Sequence, residues 1–266
     1  MEETFEEFLN KIKSEYEKCV DSEGNINHSA KFKLYETRVL TSGKLDDMIK
    51  FLKKFTAVDE DAFARKILES NSPYANYEYM KARPNADLQK HKDVIKNSGS
   101  AVFCYRTARD FGGEDVSDYE QVVINSGDIR IIVDFARDIV GANIANLSDV
   151  VLRNGDVVSN SKFITIVTDE ERKQKHLDVV LSKGTAEELY DCAVSNRLYA
   201  SQLEQALLDK KSPFYSYKFA RDIPGADKDA HEAIVMSLGN DYTKKSFKTS
   251  VRFIYEPSIE GRFFAK

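Results

Sequence analysis

Ser72-Pro-Tyr-Ala-Asn-Tyr-Glu-Tyr-Met-Lys-Ala-Arg-Pro-Asn-Ala-Asp87 aligns without a gap on Ser212-Pro-Phe-Tyr-Ser-Tyr-Lys-Phe-Ala-Arg-Asp-Ile-Pro-Gly-Ala-Asp227, and the offset of 140 residues is five times 28. Between them, Thr107-Ala-Arg-Asp-Phe111 and Phe135-Ala-Arg-Asp-Ile139 are also 28 residues apart. A fixed period of this length is the mark of stacked supersecondary units, each too small to bury its apolar face alone.

Adding 28 repeatedly fills each slot of the unit. Gly43, Asn71, Gly99, Gly127, Gly155, Lys183, Lys211 and Gly239 share one slot, with the glycine one place late at Gly184 in the sixth unit. Gly and Asn tolerate the left-handed conformation past a helix end, so this slot closes a helix. Sixteen residues on stand Asp59, Asp87, Asp115, Asn143, Glu171, Tyr199 and Asp227. Asp and Asn there accept hydrogen bonds from free N–H groups and open the second helix. That helix carries an aliphatic column, Val39, Ile67, Ile95, Val123, Val151, Val179, Leu207 and Val235. Four residues earlier, on the same face, come Tyr35, Phe63, His91, Tyr119, Leu147, Lys175, Leu203 and His231. The first helix carries Phe51, Tyr79, Thr107, Phe135, Phe163, Asp191, Phe219 and Phe247. The expected fold is all-α: an α-solenoid of about seven hairpins, each helix about 12 residues and ~18 Å long. Residues 1–28 are expected to form an N-terminal capping helix and loop, 29–240 the repeats, and 241–266 a C-terminal cap and tail. Units five and six, over 155–210, lose the Ala-Arg-Asp signature and gain Asp169-Glu-Glu-Arg-Lys-Gln-Lys-His176. This is read as drift on a solvated face, with a binding insertion as the alternative.

The bulk numbers bound the function. Charged residues make up 31% and hydrophobic ones 42%, a folded rather than disordered balance. A net charge of −5 disfavours a generally basic nucleic-acid binder. Cys19, Cys104 and Cys192 match no zinc or redox spacing and read as reduced thiols of a cytoplasmic protein. The acidic, amphipathic start is unlike a signal peptide, and no apolar run reaches the roughly 20 residues of a membrane span.

Lys218-Phe-Ala-Arg-Asp-Ile-Pro-Gly-Ala-Asp227, with Asn125-Ser-Gly-Asp128 closing a unit, resembles the short HEAT-like α-hairpin repeats of phage and bacterial proteins. The resemblance covers roughly residues 43–240 and is clearest in units two, three, four and seven. It implies a helical stack used as a binding scaffold, and a phage-borne protein that blocks a host factor by steric occupation. It implies no catalytic activity.

No grouping of His, Cys, Asp or Glu has metal-ligand spacing, and no cofactor or catalytic residue is expected. His91 and His231 share a core slot with Tyr and Leu; His28 and His176 stand alone. Phe111-Gly-Gly-Glu and Pro224-Gly-Ala are turn glycines without the preceding strand of a phosphate loop. The binding candidates are a basic column, Lys53, Lys81, Arg109, Arg137 and Arg221. These cations sit in the last turn of the first helix, where the helix dipole favours them. Asp110, Asp138 and Asp222 follow and partly cancel them. The functional reading of the column is a stripe for an acidic protein surface, or for nucleic-acid phosphates as the alternative. Tyr77, Tyr105 and Tyr217 read as core with a rim suited to an interface. The expectation is a non-enzymatic, macromolecule-binding repeat protein with a protein partner.

Overall fold

A computed structural model describes residues 4–17, 30–113 and 116–253. Among them are helices and turns and no strand, as the all-α reading requires. The chain divides into two compact units, residues 1–131 with 138–142, and 132–137 with 143–266. The first contains α1 (Phe5–Glu17), α2 (Ala30–Ser42), α3 (Leu45–Lys54), α4 (Glu60–Glu69), α5 (Pro73–Ala82), α6 (Gln89–Asn97), α7 (Ala101–Phe111) and α8 (Val116–Ser126). Helix α9 (Ile129–Asp138) contributes to both units. The second contains α10 (Ile144–Asn154), α11 (Val157–Ile166), α12 (Glu170–Lys183), α13 (Ala186–Ser195), α14 (Ala200–Asp209), α15 (Pro213–Asp222), α16 (Lys228–Leu238) and α17 (Asp241–Ser250). In the first unit α3 lies on α5 and α5 on α7, while α2, α4, α6 and α8 neighbour one another in order. In the second, α11, α13, α15 and α17 form one such series and α10, α12, α14 and α16 the other. Alternate helices are neighbours, which is how stacked hairpins bury what one hairpin cannot.

The period is written into the backbone. Gly43, Asn71, Gly99, Gly127 and Lys211 have φ between 51° and 70°, the left-handed turn expected of the slot. Gly155, Gly184 and Gly239 do not: their φ values are −80°, −63° and −74°, and a Cβ there would lie 2.4–2.6 Å from the carbonyl oxygens of Val151, Val180 and Val235, so glycine is required by close approach instead. A serine before the turn adds a device the repeat did not disclose. Ser42, Ser70, Ser98 and Ser126 donate Oγ–H to the carbonyls of Val39, Ile67, Ile95 and Val123 at 2.6–2.7 Å. Each also accepts the N–H two residues on. The Ser-Gly-Asp string is therefore a helix stop in which the hydroxyl occupies one of the orphaned terminal carbonyls. At the helix starts, Asp59, Asn143 and Asp227 cap as expected.

The aliphatic column is buried in both units, with one correction. In the sixth unit His176, Val180, Tyr190 and Cys192 are buried one place later than the 28-residue step predicts, while Leu189, which lies on the step, is buried as well. Lys175, Val179 and Asp191 are displaced from the core positions expected of them, and Glu171 lies inside α12 while Asp169 caps it. The cause is α12, 14 residues long against nine to eleven for α4, α6, α8, α10, α14 and α16. It starts two residues early and ends one late. The register is restored at Leu203, after the short 3₁₀ turn Arg197–Tyr199. His28, Cys19 and the tail 254–266 lie outside the described residues. Among those described, no helix is long and apolar enough to cross a membrane.

This shift changes the standing of His176, which is not alone. It fills the core slot of His91 and His231, and the three rings make related contacts. Asn76 Nδ2 donates to the carbonyls of Ile67 and Ser72, leaving Oδ1 to accept His91 Nδ1–H at 2.6 Å. Asn160 does the same with Gly155, Asp156 and His176 Nδ1–H at 2.7 Å, and Ser148 Oγ lies 2.9 Å from His176 Nε2. In the hairpin of His231 the asparagine is replaced by Ser216, whose buried Oγ has no hydrogen-bond partner among the described residues; neither has His231 Nδ1. Nε2–H of that ring donates to Glu204 Oε1 at 3.1 Å. Ser216→Asn is predicted to supply the missing acceptor at Nδ1. With Glu204 on the other nitrogen, both ring nitrogens would donate and the imidazolium would be favoured. The His231 pKa, now lowered by burial, should rise toward its unfolded value. The variant should gain about 1 kcal/mol over wild type, most of it below the unfolded pKa, because less stability is lost as pH falls. A histidine NMR titration checks it; an unmoved pKa contradicts it.

Candidate functional site: an aromatic and cationic helix face

The Ala-Arg-Asp signature ends α7, α9 and α15, and its aspartate is held by a tyrosine of the preceding hairpin. Tyr77 OH donates to Asp110 Oδ2. Tyr105 OH donates to Asp138 Oδ2 at 2.6 Å, and Tyr190 OH to Asp222 Oδ2 at 2.7 Å. The arginine closes on the same carboxylate: Arg109 Nε lies 2.8 Å from Asp110 Oδ1, and Arg221 Nε 2.7 Å from Asp222 Oδ1. Each guanidinium also covers a tyrosine of its own helix, Arg109 at 5.4 Å from the Tyr105 centroid and Arg221 at 5.1 Å from that of Tyr217. The arginine hydrogen bond is the main reason the Asp110 and Asp222 carboxyls sit below the usual range. Burial first, then the bond to the carboxylate, pushes Tyr77 and Tyr190 up to about 12. At neutral pH the phenols therefore donate and the carboxylates accept.

This geometry locates the predicted basic column. All five residues are exposed at the ends of first helices. Lys53 pairs with Glu78, Arg109 with Asp110, Arg137 with Asp134 at 2.8 Å, and Arg221 with Asp222. Lys81 differs: its Nζ stands 5.6 Å from the Tyr77 ring centroid and has no acidic partner among the described residues. Tyr77 and Tyr217 are buried and Tyr105 half-buried, largely as expected.

A second column on these helices escaped the sequence reading. Tyr74 and Val102 in the first unit, and Val158, Phe214 and Tyr242 in the second, occupy one slot of the 28-residue unit and are exposed by 42–74%. They stand second in their helices, just before the tyrosine slot. Around Tyr74 the rings gather, with Phe103 at 6.2 Å from Tyr74 and 5.8 Å from Tyr77, and Arg106 lies 5.5 Å over Phe103. Around Phe214 are Tyr215 and Tyr190, with Lys218 Nζ 4.1 Å from the Tyr190 centroid. The signal was available in the repeat: five of the eight residues in this slot are large and apolar at a position where the helix faces away from its neighbours, the others being Asp46, Arg130 and Ala186.

The other concavities are shallower in chemical content. A groove of about 470 Å³ between α4 and α6 is lined by Glu60, Asp61, Arg65, Asp87 and Lys90. The degenerate hairpins carry a groove of about 780 Å³ with Val167, Lys173, Val194, Arg197 and Leu198. Among the described residues no group of three or more His, Cys, Asp or Glu is placed to hold a metal ion. Both described cysteines are buried, which pushes the Cys104 thiol up to about 12. What the first-helix face offers is stacking surface and oriented charge. Comparison with protein-family models, with curated proteins and with solved structures finds no match.

Proposed function

We propose that the chain is a non-catalytic macromolecule-binding repeat protein that holds a protein partner on the exposed first helices of its units and acts by steric occupation. The observation that carries this reading is the apolar slot of Tyr74, Val102, Val158, Phe214 and Tyr242. Core slots recur because neighbouring hairpins require them; large apolar side chains exposed in one slot, two in the first unit and three in the second, have no such requirement, and exposed apolar area marks interaction surface. Tyr and Arg, which surround it, are the residues that anchor protein interfaces. The pairing of Lys53, Arg109, Arg137 and Arg221 with carboxylates speaks against phosphate tracking as their role, since a neutralised cation releases few counterions. The wider proposal from the repeat resemblance, a phage protein that occludes a host factor, shares this mechanism.

The test is photo-cross-linking in producing cells, with the cross-linking residue at position 74 or 214 and, for comparison, at exposed position 90 on α6. Protein adducts concentrated at 74 and 214 are the expected result. Equal yields at all three positions, or none, would overturn the reading.

A further inference from the structure

Lys53 and Glu78 form an ion pair between α3 and α5. Moving both positions on by 28 residues gives Lys81 and Arg106, on α5 and α7. Two cations thus stand where the preceding hairpins hold a salt bridge. Neither has an acidic partner among the described residues. Each instead lies over a ring, Lys81 over Tyr77 and Arg106 over Phe103. Tyr77 is surrounded by Lys81, Arg106 and Arg109, and by the single carboxylate of Asp110. The equivalent tyrosine of the second unit, Tyr190, has Lys218 and Arg221 balanced by Asp191 and Asp222. The same architecture is therefore neutral in one unit and carries two excess positive charges in the other, on a chain of net charge −5. Tyr74 and Val102, both 42% exposed, adjoin this charge and offer apolar surface to whatever neutralises it.

We infer that the α5–α7 face binds an acidic protein segment that alternates carboxylates with aromatic or aliphatic side chains. A carboxylate would bridge Lys81 and Arg106, in the place Glu78 takes beside Lys53. The neighbouring apolar side chain would lie on Tyr74, Val102 and Phe103. Where the preceding hairpins gain an ion pair, Lys81 and Arg106 give the fold none, and two such cations on neighbouring helices point to an outside anion. The carboxylate source is favoured over a nucleic-acid phosphate because an alternating segment carries about half the charge per residue of a phosphate backbone, so a chain of net charge −5 repels it less. The inference rests on the proposed protein-binding role and narrows it to one face and one partner chemistry.

The test uses the full chain and a fluorescein-labelled 12-residue peptide of alternating Asp and Phe, with an alternating Lys and Phe peptide and a 12-nucleotide oligothymidylate as companions. Anisotropy should show saturable, salt-sensitive binding of the acidic peptide alone. Arg106→Glu should weaken it at least tenfold while the melting temperature stays equal to or above that of wild type, because the new carboxylate meets Lys81 as Glu78 meets Lys53. Lys228→Glu, an equal charge reversal at an exposed position of α16 in the other unit, should leave peptide affinity unchanged. Stronger binding of the oligonucleotide overturns the carboxylate assignment. Binding of the acidic peptide that survives Arg106→Glu, or no binding at all, overturns the site. Cross-linking at position 214 would still stand on its own in that case, so failure here is distinguishable from failure of the binding role.

Discussion

Asn160→Ala is expected to destabilise the second unit by about 2–4 kcal/mol, a large loss for one small polar side chain. The amide donates to the carbonyls of Gly155 and Asp156 and accepts from His176. Truncation leaves the buried Nδ1–H of His176 and the Gly155 carbonyl without that partner, and opens a small cavity in a fully buried position. Orphaned buried groups cost about 1–3 kcal/mol each, more than the bond itself contributes. Asn76→Ala should do the same in the first unit, through Ile67, Ser72 and His91. Urea unfolding read by hydrogen exchange in peptides from α5–α6 and α11–α12 separates the two. A loss under about 1 kcal/mol in both would contradict the view that these asparagines fasten hairpin ends to the core.

Mild acid should unfold both units over a defined window. Burial holds His91 and His176 at about 4, and Arg172 lowers His176 further against the opposing pull of Asp149. In the unfolded chain both return to about 6.5. Between these values the unfolded state binds more protons, so stability is complete above the unfolded pKa and is lost as pH falls toward the folded one. By pH 4.5 the loss is about 2 kcal/mol for each ring in its own unit. Asp110 and Asp222, held below the ordinary carboxylate range, contribute only at lower pH. The control exchanges one hairpin's pair for its neighbour's: Asn76→Cys with His91→Tyr copies Cys104 and Tyr119, which fill the same slots. That double variant should keep α5–α6 protection flat between pH 6.5 and 4.5 while α11–α12 still loosens. Equal acid sensitivity in wild type and variant would refute the assignment.

The parts of the fold visible from the sequence were those that repeat within one hairpin. Glycine and asparagine stops, aspartate caps and the aliphatic column each depend on local backbone or on one helix face, so a period of 28 exposes them. His176 and Tyr190 were hidden because α12 gains three residues inside a charged run, where one register looks as good as another. The tyrosine–aspartate bonds were hidden for a different reason. Their partners stand 32 or 33 residues apart, on successive hairpins, and only stacking brings them together. The basic column was legible in composition but not in consequence: Lys53 is neutralised and Lys81 is not because the position one hairpin on holds Glu78 in one case and Arg106 in the other, while Arg109, Arg137 and Arg221 take carboxylates of their own helices. The exposed apolar slot could have been read from the repeat, had position as well as residue type been weighed.

The tyrosine–aspartate bond also bears on how such a chain responds to force. Apolar columns resist separation but tolerate sliding, because one methyl group serves a neighbour about as well as the next. A phenol bonded to a carboxylate on the following hairpin works like a tooth on a rack. To slip by one step, Tyr77 must release Asp110, and Tyr190 must release Asp222, before any new contact forms. Under load, the junctions that carry such a bond should therefore yield as separate steps rather than shear smoothly.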